Sequence, residues 1–134
     1  MYDTSLNLVQ SFQAHVGHII RIRQSPFPLN HYVVTCSEDR QVKVWKPLSA
    51  NNWQLFRTYA MHSQIVFRIE FIDEDTMASG GADSTIKLWS ISTLITRRTI
   101  NTYGRQVWCL QLLGTQNLAS GGEFYSDIDY SFTI

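Results

Sequence analysis

His62, Ser79 and Asp83 are the three residue types with which a serine hydrolase works. In such an enzyme the histidine takes the proton of the serine hydroxyl, and the acid orients the histidine. The nucleophile has to be exposed beside an oxyanion site, and the set occurs once per active site. Here the set occurs twice, and its earlier copy consists of His15, Thr35 and Asp39. We therefore favour a structural hydrogen-bond network, with a hydrolase that uses His62 and Ser79 as the alternative.

The elements that position these residues repeat along the chain. Residues 79–89 form a turn of small residues with an acid at its end, followed by a short strand that closes on a tryptophan, and residues 36–45 have the same organisation. Glycine and aspartate supply turn conformations, and the alternating strand formers that follow are typical of a β-hairpin. The residues Asp39, Lys43 and Trp45 each precede their counterparts Asp83, Lys87 and Trp89 by forty-four positions. This spacing indicates an array of repeats.

The composition bounds the classes of function. A chain of 134 residues that is 44% hydrophobic is sized for one domain, over residues 1–134. Eleven basic and eleven acidic residues balance, so no net charge attracts nucleic acid or an anionic membrane, and neither partner is expected. The N-terminal segment lacks a basic start and an apolar run, and no apolar segment is long enough to span a bilayer. We expect a soluble intracellular protein, cytoplasmic, with the nucleus as an open alternative.

The sequence predicts no catalytic, cofactor or metal residue. Cys36 and Cys109 fall in predicted strands, and two cysteines make a disulfide framework improbable. The pair His15 and His18 has a spacing that could form half of a metal site, but no cysteine or carboxylate pair nearby would complete four ligands. The paired glycines at 80–81 and 121–122 lack the lysine and helix of a phosphate loop and are interpreted as turns.

The periodicity of the chain predicts strands throughout. Apolar residues alternate or cluster in short segments, turn residues separate them about every ten positions, and no helical period competes. We therefore predict an all-β architecture of about twelve strands. The predicted strands cover 6–12, 19–24, 32–36, 41–45, 53–59, 66–71, 76–79, the hairpin strand that ends at 89, 92–100, 107–112 and 117–120.

The segments 15–45 and 62–89 resemble the WD repeat. Each has a histidine, an apolar strand, a serine or threonine before small residues, an aspartate, and then Val/Ile-Lys-Val/Leu-Trp. The resemblance implies β-propeller blades of four strands, built from repeats of about 40–45 residues. The expected repeats are 13–60, 61–101 and 102–134, the last degenerate, with residues 5–12 as the outer strand of a preceding blade.

The resemblance also implies a role for the repeated polar residues. In each blade they would form a buried hydrogen-bond chain from aspartate to histidine to serine or threonine to the tryptophan N–H, which is stable only if every member is satisfied. The two networks would consist of His15, Thr35, Asp39 and Trp45, and of His62, Ser79, Asp83 and Trp89. In the third repeat Tyr103, Phe124 and Tyr130 replace the histidine, aspartate and tryptophan and leave Ser120 alone. That blade is expected to be the least rigid.

The role that WD-repeat proteins share is mainly that of a rigid platform for partners. The resemblance therefore implies a non-catalytic scaffold or adaptor for protein partners. A receptor for a peptide or phosphopeptide is the alternative, and it would use an arginine-lined rim. Phe67 and Trp108, at equivalent positions, are the leading contact hypothesis because large aromatics are frequent hot spots. Core packing of both rings is the competing interpretation. The candidate rim consists of Ile20, Arg21, Phe67, Arg68, Arg105 and Trp108.

About three blades are fewer than the four to eight of a typical closed propeller. We therefore expect an incomplete propeller, with two open blade faces and unpaired strand edges. Three explanations stay open: a fragment of a longer propeller, which the atypical tail favours, self-association through the open faces, or a partner that covers them.

Overall fold

A computed structural model describes residues 4–5, 8, 10–29, 31–115, 117–124 and 131–133. Within these residues the chain forms eleven β-strands and no helix, which confirms the all-β fold. The strands are β1 (Ile19–Gln24), β2 (Val33–Ser37), β3 (Val42–Ser49), β4 (Asn52–Tyr59), β5 (Val66–Phe71), β6 (Thr76–Gly81), β7 (Thr85–Ser90), β8 (Thr96–Asn101), β9 (Arg105–Leu113), β10 (Asn117–Phe124) and β11 (Ser131–Thr133).

The strands make three antiparallel sheets that follow one another along the chain. Blade 1 consists of β1 to β4 and blade 2 of β5 to β8, each in sequential order. Blade 3 contains β9, β10 and β11, with β10 in the middle. The first strand of each later blade packs against the blade before it, since β5 contacts β1 and β2 while β9 contacts β5 and β6. The arrangement is a partial, open propeller, as predicted.

Each complete blade has a hairpin turn that an aspartate stabilises. Asp39 precedes Arg40, whose φ is 70°, and Asp83 precedes Ser84, whose φ is 56°. A non-glycine residue adopts this left-handed conformation at a cost that local hydrogen bonds have to offset. Oδ1 of Asp39 accepts from the backbone N–H of residue 41 at 3.0 Å, and Oδ1 of Asp83 accepts from that of residue 85 at 3.2 Å.

Two apolar cores lie between the blades. The larger joins blades 1 and 2 and is built from strand residues that are almost fully buried. The smaller joins blades 2 and 3, where Ala78 and Ile86 meet Val107 and Leu110. Members of the larger core include Val34, Cys36, Val44, Tyr59, Val66, Ile69, Phe71, Met77 and Trp89. Each blade therefore buries its apolar residues against its neighbour.

Glycine is required where two blades or strands come closest. A Cβ on Gly80 would lie 2.6 Å from Cγ1 of Val107 in blade 3. A Cβ on Gly81 would lie 2.0 Å from the backbone oxygen of Ile65. Real Cβ atoms do not approach other atoms so closely, so these positions exclude larger residues unless the backbone moves.

The structure departs from the predicted strands at both ends of the chain. In the segment 6–12, Leu8 makes one isolated bridge and residues 10–12 are not in a strand, while residues 6, 7 and 9 lie outside the described part. The side-chain amide of Gln10 binds the backbone N–H and C=O of Trp53, so a side chain takes the place of a strand partner. At the other end, β11 pairs with β10 although the sequence did not predict it.

Candidate interaction surface and the networks beneath it

In blade 2 the four predicted network residues are joined by hydrogen bonds. Nδ1 of His62 lies 2.8 Å from Oδ2 of Asp83, and Nε2 of His62 lies 2.7 Å from Oγ of Ser79. The indole N–H of Trp89 donates to the same Oγ at 3.1 Å. His62 comes from the loop before β5, Ser79 from β6 and Trp89 from β7, so the chain of bonds crosses the sheet.

Blade 1 contains the same arrangement with threonine in place of serine. Nδ1 of His15 lies 2.9 Å from Oδ2 of Asp39, and Nε2 of His15 lies 2.7 Å from Oγ1 of Thr35. The indole N–H of Trp45 donates to that oxygen at 3.0 Å. The sequence repeat is thus also a repeat of geometry.

Ser79 is buried rather than exposed, and its hydroxyl links His62 to Trp89. The hydroxyl bonds with Nε2 of His62 while it accepts from the indole N–H of Trp89. The other nitrogen of His62 then donates to Asp83, whose carboxylate also accepts from the backbone N–H of Ser63. Among the described residues no buried side-chain nitrogen or oxygen lacks a hydrogen-bond partner, as buried polar groups require.

The networks perturb the acid–base behaviour of their members. Burial alone would raise the pKa of Asp83, but hydrogen bonds from His62 and Thr85 and the charge of His62 lower that pKa to about 2. The pKa of Asp39 is also lowered, because bonds from His15 and two backbone N–H groups outweigh burial. Burial lowers the pKa of His15 below its usual 6.5 despite the hydrogen bond to Asp39. Both aspartates are therefore ionised at neutral pH.

Blade 3 does not rebuild the network at the histidine position. Tyr103 is 85% exposed, and its φ of 53° together with a φ of 83° at Gly104 places it on a left-handed turn between blades 2 and 3. Its backbone N–H donates to the side chain of Asn101 at 2.9 Å. Ser120 is buried on β10. Tyr130 and the side chain of Phe124, which the sequence aligned with Trp89 and Asp83, lie outside the described residues.

The structure brings the two predicted aromatic contact residues together. Phe67 and Trp108 occupy equivalent positions on β5 and β9, and their ring centroids are 5.4 Å apart with a tilt of 35°. Phe67 is half-buried, whereas Trp108 is 48% exposed and its indole N–H donates to the side chain of Gln106. Ile20, at the same position of β1, is half-buried against the larger core. Trp108 thus presents more surface to solvent than Ile20 or Phe67.

The three predicted arginines differ in their surroundings. Arg21 is exposed, and its side chain makes no hydrogen bond or ion pair with the described residues. Arg68, at the same position of β5, is half-buried and donates to the backbone oxygen of Phe67 at 2.8 Å. Both guanidinium groups act on Cys36, where burial raises the thiol pKa to about 12 although their charges oppose that shift. Arg105 is half-buried at the start of β9.

Sequence reasoning missed the ion pair that links blade 1 to blade 2. The guanidinium of Arg23 on β1 donates to both carboxylate oxygens of Glu70 on β5, at 2.6 and 2.8 Å. The side chain of Glu70 is only 9% exposed and that of Arg23 is 33% exposed. The available signal was a glutamate between two apolar strand residues, Ile69 and Phe71. A carboxylate that becomes buried there needs a partner of opposite charge.

Sequence reasoning also missed the aromatic support of the blade 2 network. The ring of Tyr59 from blade 1 stacks on that of Trp89, with centroids 4.3 Å apart and an angle of 5°. Its hydroxyl bonds with the hydroxyl of Thr96 at 2.6 Å. Blade 1 therefore covers the tryptophan on which the network of blade 2 ends.

Within the described residues no three His, Cys, Asp or Glu side chains converge as a metal site would need. His18 instead pairs with Glu38, with Nδ1 2.6 Å from Oε2 at the surface. The described part of the chain also contains no helix long and apolar enough to cross a membrane.

The family model described as "WD domain, G-beta repeat" matches residues 6–46 and 53–90, together more than half of the chain. The chain belongs to the WD-repeat family. It is 36% identical over 78 residues to an uncharacterised WD repeat-containing protein of Schizosaccharomyces pombe, a match that covers 57% of this chain and 13% of that one. It is 30% identical over 112 residues to the tRNA (34-2'-O)-methyltransferase regulator WDR6 of Drosophila melanogaster, over 77% of this chain and 11% of that one.

Solved WD-repeat structures agree with the fold. The WD40 propeller domain of Doa1 superposes with a TM-score of 0.72 at 25% identity, over 83% of this chain and 36% of that domain. The designed protein Ika4 gives the same TM-score at 24% identity, over 87% of this chain and 68% of its own. The matched segments thus span about an eighth or less of the first curated relatives and about a third of the Doa1 domain. WD repeats generally serve as scaffolds for protein interaction.

Proposed function

We propose that this WD-repeat chain is a non-catalytic scaffold that binds a protein or peptide partner on its rim. One observation carries the proposal: the residues capable of catalysis are used inside the blades, while a cation and an indole at the rim are left exposed. Ser79 is fully buried between His62 and Trp89. Arg21 on β1 and Trp108 on β9 are exposed.

The exposed rim has the composition of a binding surface. Tryptophan and arginine are the residue types most enriched among interaction hot spots, because each combines a large contact area with hydrogen-bond donors. Trp108 rests on Phe67, which holds its ring in one orientation and reduces the entropy lost when a partner binds. The rim thus offers a supported aromatic surface, with Arg68 next to Phe67 and Arg21 at the same position of blade 1.

The proposal is tested by comparing the proteins captured by three forms of the chain. The first is the natural sequence, the second carries Arg21→Ala and Arg68→Ala, and the third carries Arg98→Ala as a matched control on the exposed outer strand β8. We expect partners of the natural chain to be lost from the rim variant and retained by the Arg98 variant, with thermal unfolding confirming that all three fold. Equal capture by all three forms would refute a rim role.

A receptor for anionic peptides is the second candidate, and the unpaired charge of Arg21 favours it. An exposed guanidinium without a carboxylate partner among the described residues is available for a phosphate or carboxylate, and Arg68 lies at the same position of the next blade. Binding should be measured for one peptide sequence in neutral, glutamate and phosphoserine forms. Binding that is strongest for phosphoserine and lost in the double arginine variant supports this candidate; equal binding of the three forms contradicts it.

A further inference from the structure

Equivalent positions on the first strand of each blade differ in exposure in a regular way. Val66 and Ile69 of blade 2 are 0% and 2% exposed because blade 1 covers them. Val107 and Leu110 of blade 3 are 2% and 6% exposed because blade 2 covers them. The corresponding residues of blade 1, by strand register, are Ile19 and Ile22, which are 44% and 60% exposed. Blade 1 therefore presents to solvent the apolar side chains that the later blades bury; we refer to Ile19 and Ile22 as its rear face.

Blade 3 is uncovered on the opposite side. Phe67 and Ile72 of blade 2 both contact blade 3, through the ring of Trp108 and through the smaller core. Their counterparts in blade 3 are Trp108 and Leu113, which are 48% and 39% exposed. We refer to Trp108 and Leu113 as its forward face. Every blade thus has one face that fits the blade before it and one that fits the blade after it.

The forward face also carries the small residue that a blade–blade contact uses. Gly80 of blade 2 makes room for the side chain of Val107, since a Cβ there would lie 2.6 Å from that valine. Gly121 occupies the same position of blade 3, and it is half-buried. Ala119, the counterpart of Ala78, is already buried within the chain, so the free contact area centres on Gly121, Trp108 and Leu113.

We propose that a second copy of the chain occupies these surfaces, with the rear face of one copy packed on the forward face of the other. The contacts between blades within one chain join equivalent positions, as Phe67 and Trp108 show, so Trp108 would meet Ile20 of the second copy. No like charges would be opposed along this row, because Arg23 would meet Gln111 where Arg23 now meets Glu70. Such a contact is heterologous, and it closes only if the rotation completes a ring.

Two copies satisfy that condition best. The described residues of one copy form three blades, and two such sets give six blades, within the range of four to eight seen in propellers. A ring of two copies contains two identical contacts, in which each copy uses its rear face once and its forward face once. The inference shares Trp108 with the rim but uses neither Arg21 nor Arg68, so its failure would leave the partner binding proposed for the rim arginines standing.

The test measures the mass of the full chain by light scattering over a concentration series. We expect a mass near twice 15.5 kDa. The rear-face variant Ile19→Lys/Ile22→Lys and the forward-face variant Trp108→Lys/Leu113→Lys are each expected to be monomers. Val16→Lys, at a position 91% exposed and outside both faces, serves as the control and should stay dimeric. Because all five changed side chains are exposed, each variant should fold, as circular dichroism will verify.

Mixing the two face variants distinguishes a head-to-tail contact from other pairings. The rear-face variant keeps an intact forward face and the forward-face variant keeps an intact rear face, so the mixture should regain one contact and form a heterodimer. The indole emission of Trp108 in the natural chain should also shift to shorter wavelength as dimer forms. A monomeric natural chain, dimers that survive both variants, a mixture that stays monomeric, or polymers that lengthen with concentration would each overturn the proposal.

Discussion

Replacing Ser79 with alanine tests whether the blade 2 network is structural. The change removes the hydroxyl that accepts from the Trp89 indole N–H and bonds with Nε2 of His62. All three side chains are buried. Each buried polar group left without a partner costs roughly 1–3 kcal/mol, so two such groups should lower the free energy of unfolding by about 3 kcal/mol. For a chain of this size that corresponds to a fall in Tm of roughly 9–15 °C.

Two further variants make the measurement decisive. Ser79→Thr restores the oxygen in the form that Thr35 already uses in blade 1, so most of the lost stability should return. Ser63→Ala removes an exposed hydroxyl from the same region and should leave Tm nearly unchanged. Thermal and denaturant unfolding measure all three. If Ser79→Ala is as stable as Ser63→Ala, or if it abolishes a hydrolytic turnover while leaving Tm intact, the network interpretation is wrong.

Three further predictions concern charge and close packing. The pKa of Asp83 is about 2 in the folded chain against 3.8 in an unfolded one, so its contribution of about 2 kcal/mol to stability is complete above pH 4 and is lost as pH falls towards 2. Acid titration followed by circular dichroism should show this loss, and a stability that stays flat between pH 4 and 2 would contradict it. Arg23→Ala leaves the buried carboxylate of Glu70 unpaired and should lower the free energy of unfolding by about 3 kcal/mol, and adding Glu70→Gln should recover part of that loss. Equal unfolding midpoints for the single and double variants would count against a stabilising ion pair. Gly81→Ala places a Cβ against the backbone of Ile65 and should destabilise blade 2 by about 2 kcal/mol or more; denaturant unfolding measures this with Ser63→Ala as the control, and equal stability of the two variants would contradict it.

Much of the fold follows from local patterns in the sequence. The strand formers of 66–71 predicted β5 with the bounds that the structure shows, because alternation and flanking turns act within one segment. The network residues were recognisable because their types and their spacing repeat along the chain. Phe12 was predicted to lie in a strand, yet it is outside regular structure and its ring packs on Trp45 at 4.8 Å.

Contacts between blades were harder to predict. The pairing of Arg23 with Glu70 depends on how two sheets stack, and no pattern within either strand encodes that register. The same holds for the rim, where the sequence could place Phe67 and Trp108 at equivalent positions but could not show that their rings touch. The exposure of Tyr103 follows from a left-handed turn that includes a tyrosine, a residue that rarely adopts this conformation.

In each of blades 1 and 2, the network aspartate also accepts a hydrogen bond from one backbone N–H, and that amide can report on motion of its blade. Oδ2 of Asp39 accepts from the backbone N–H of Val16 at 3.2 Å, and Oδ2 of Asp83 accepts from that of Ser63 at 3.1 Å. Both amides belong to exposed residues, where exchange with deuterium would ordinarily be fast. We expect their exchange to require the opening of the bond to the aspartate, and with it of the contact between carboxylate and imidazole. Comparing the two rates would show which blade loosens first, residue by residue, in a single sample.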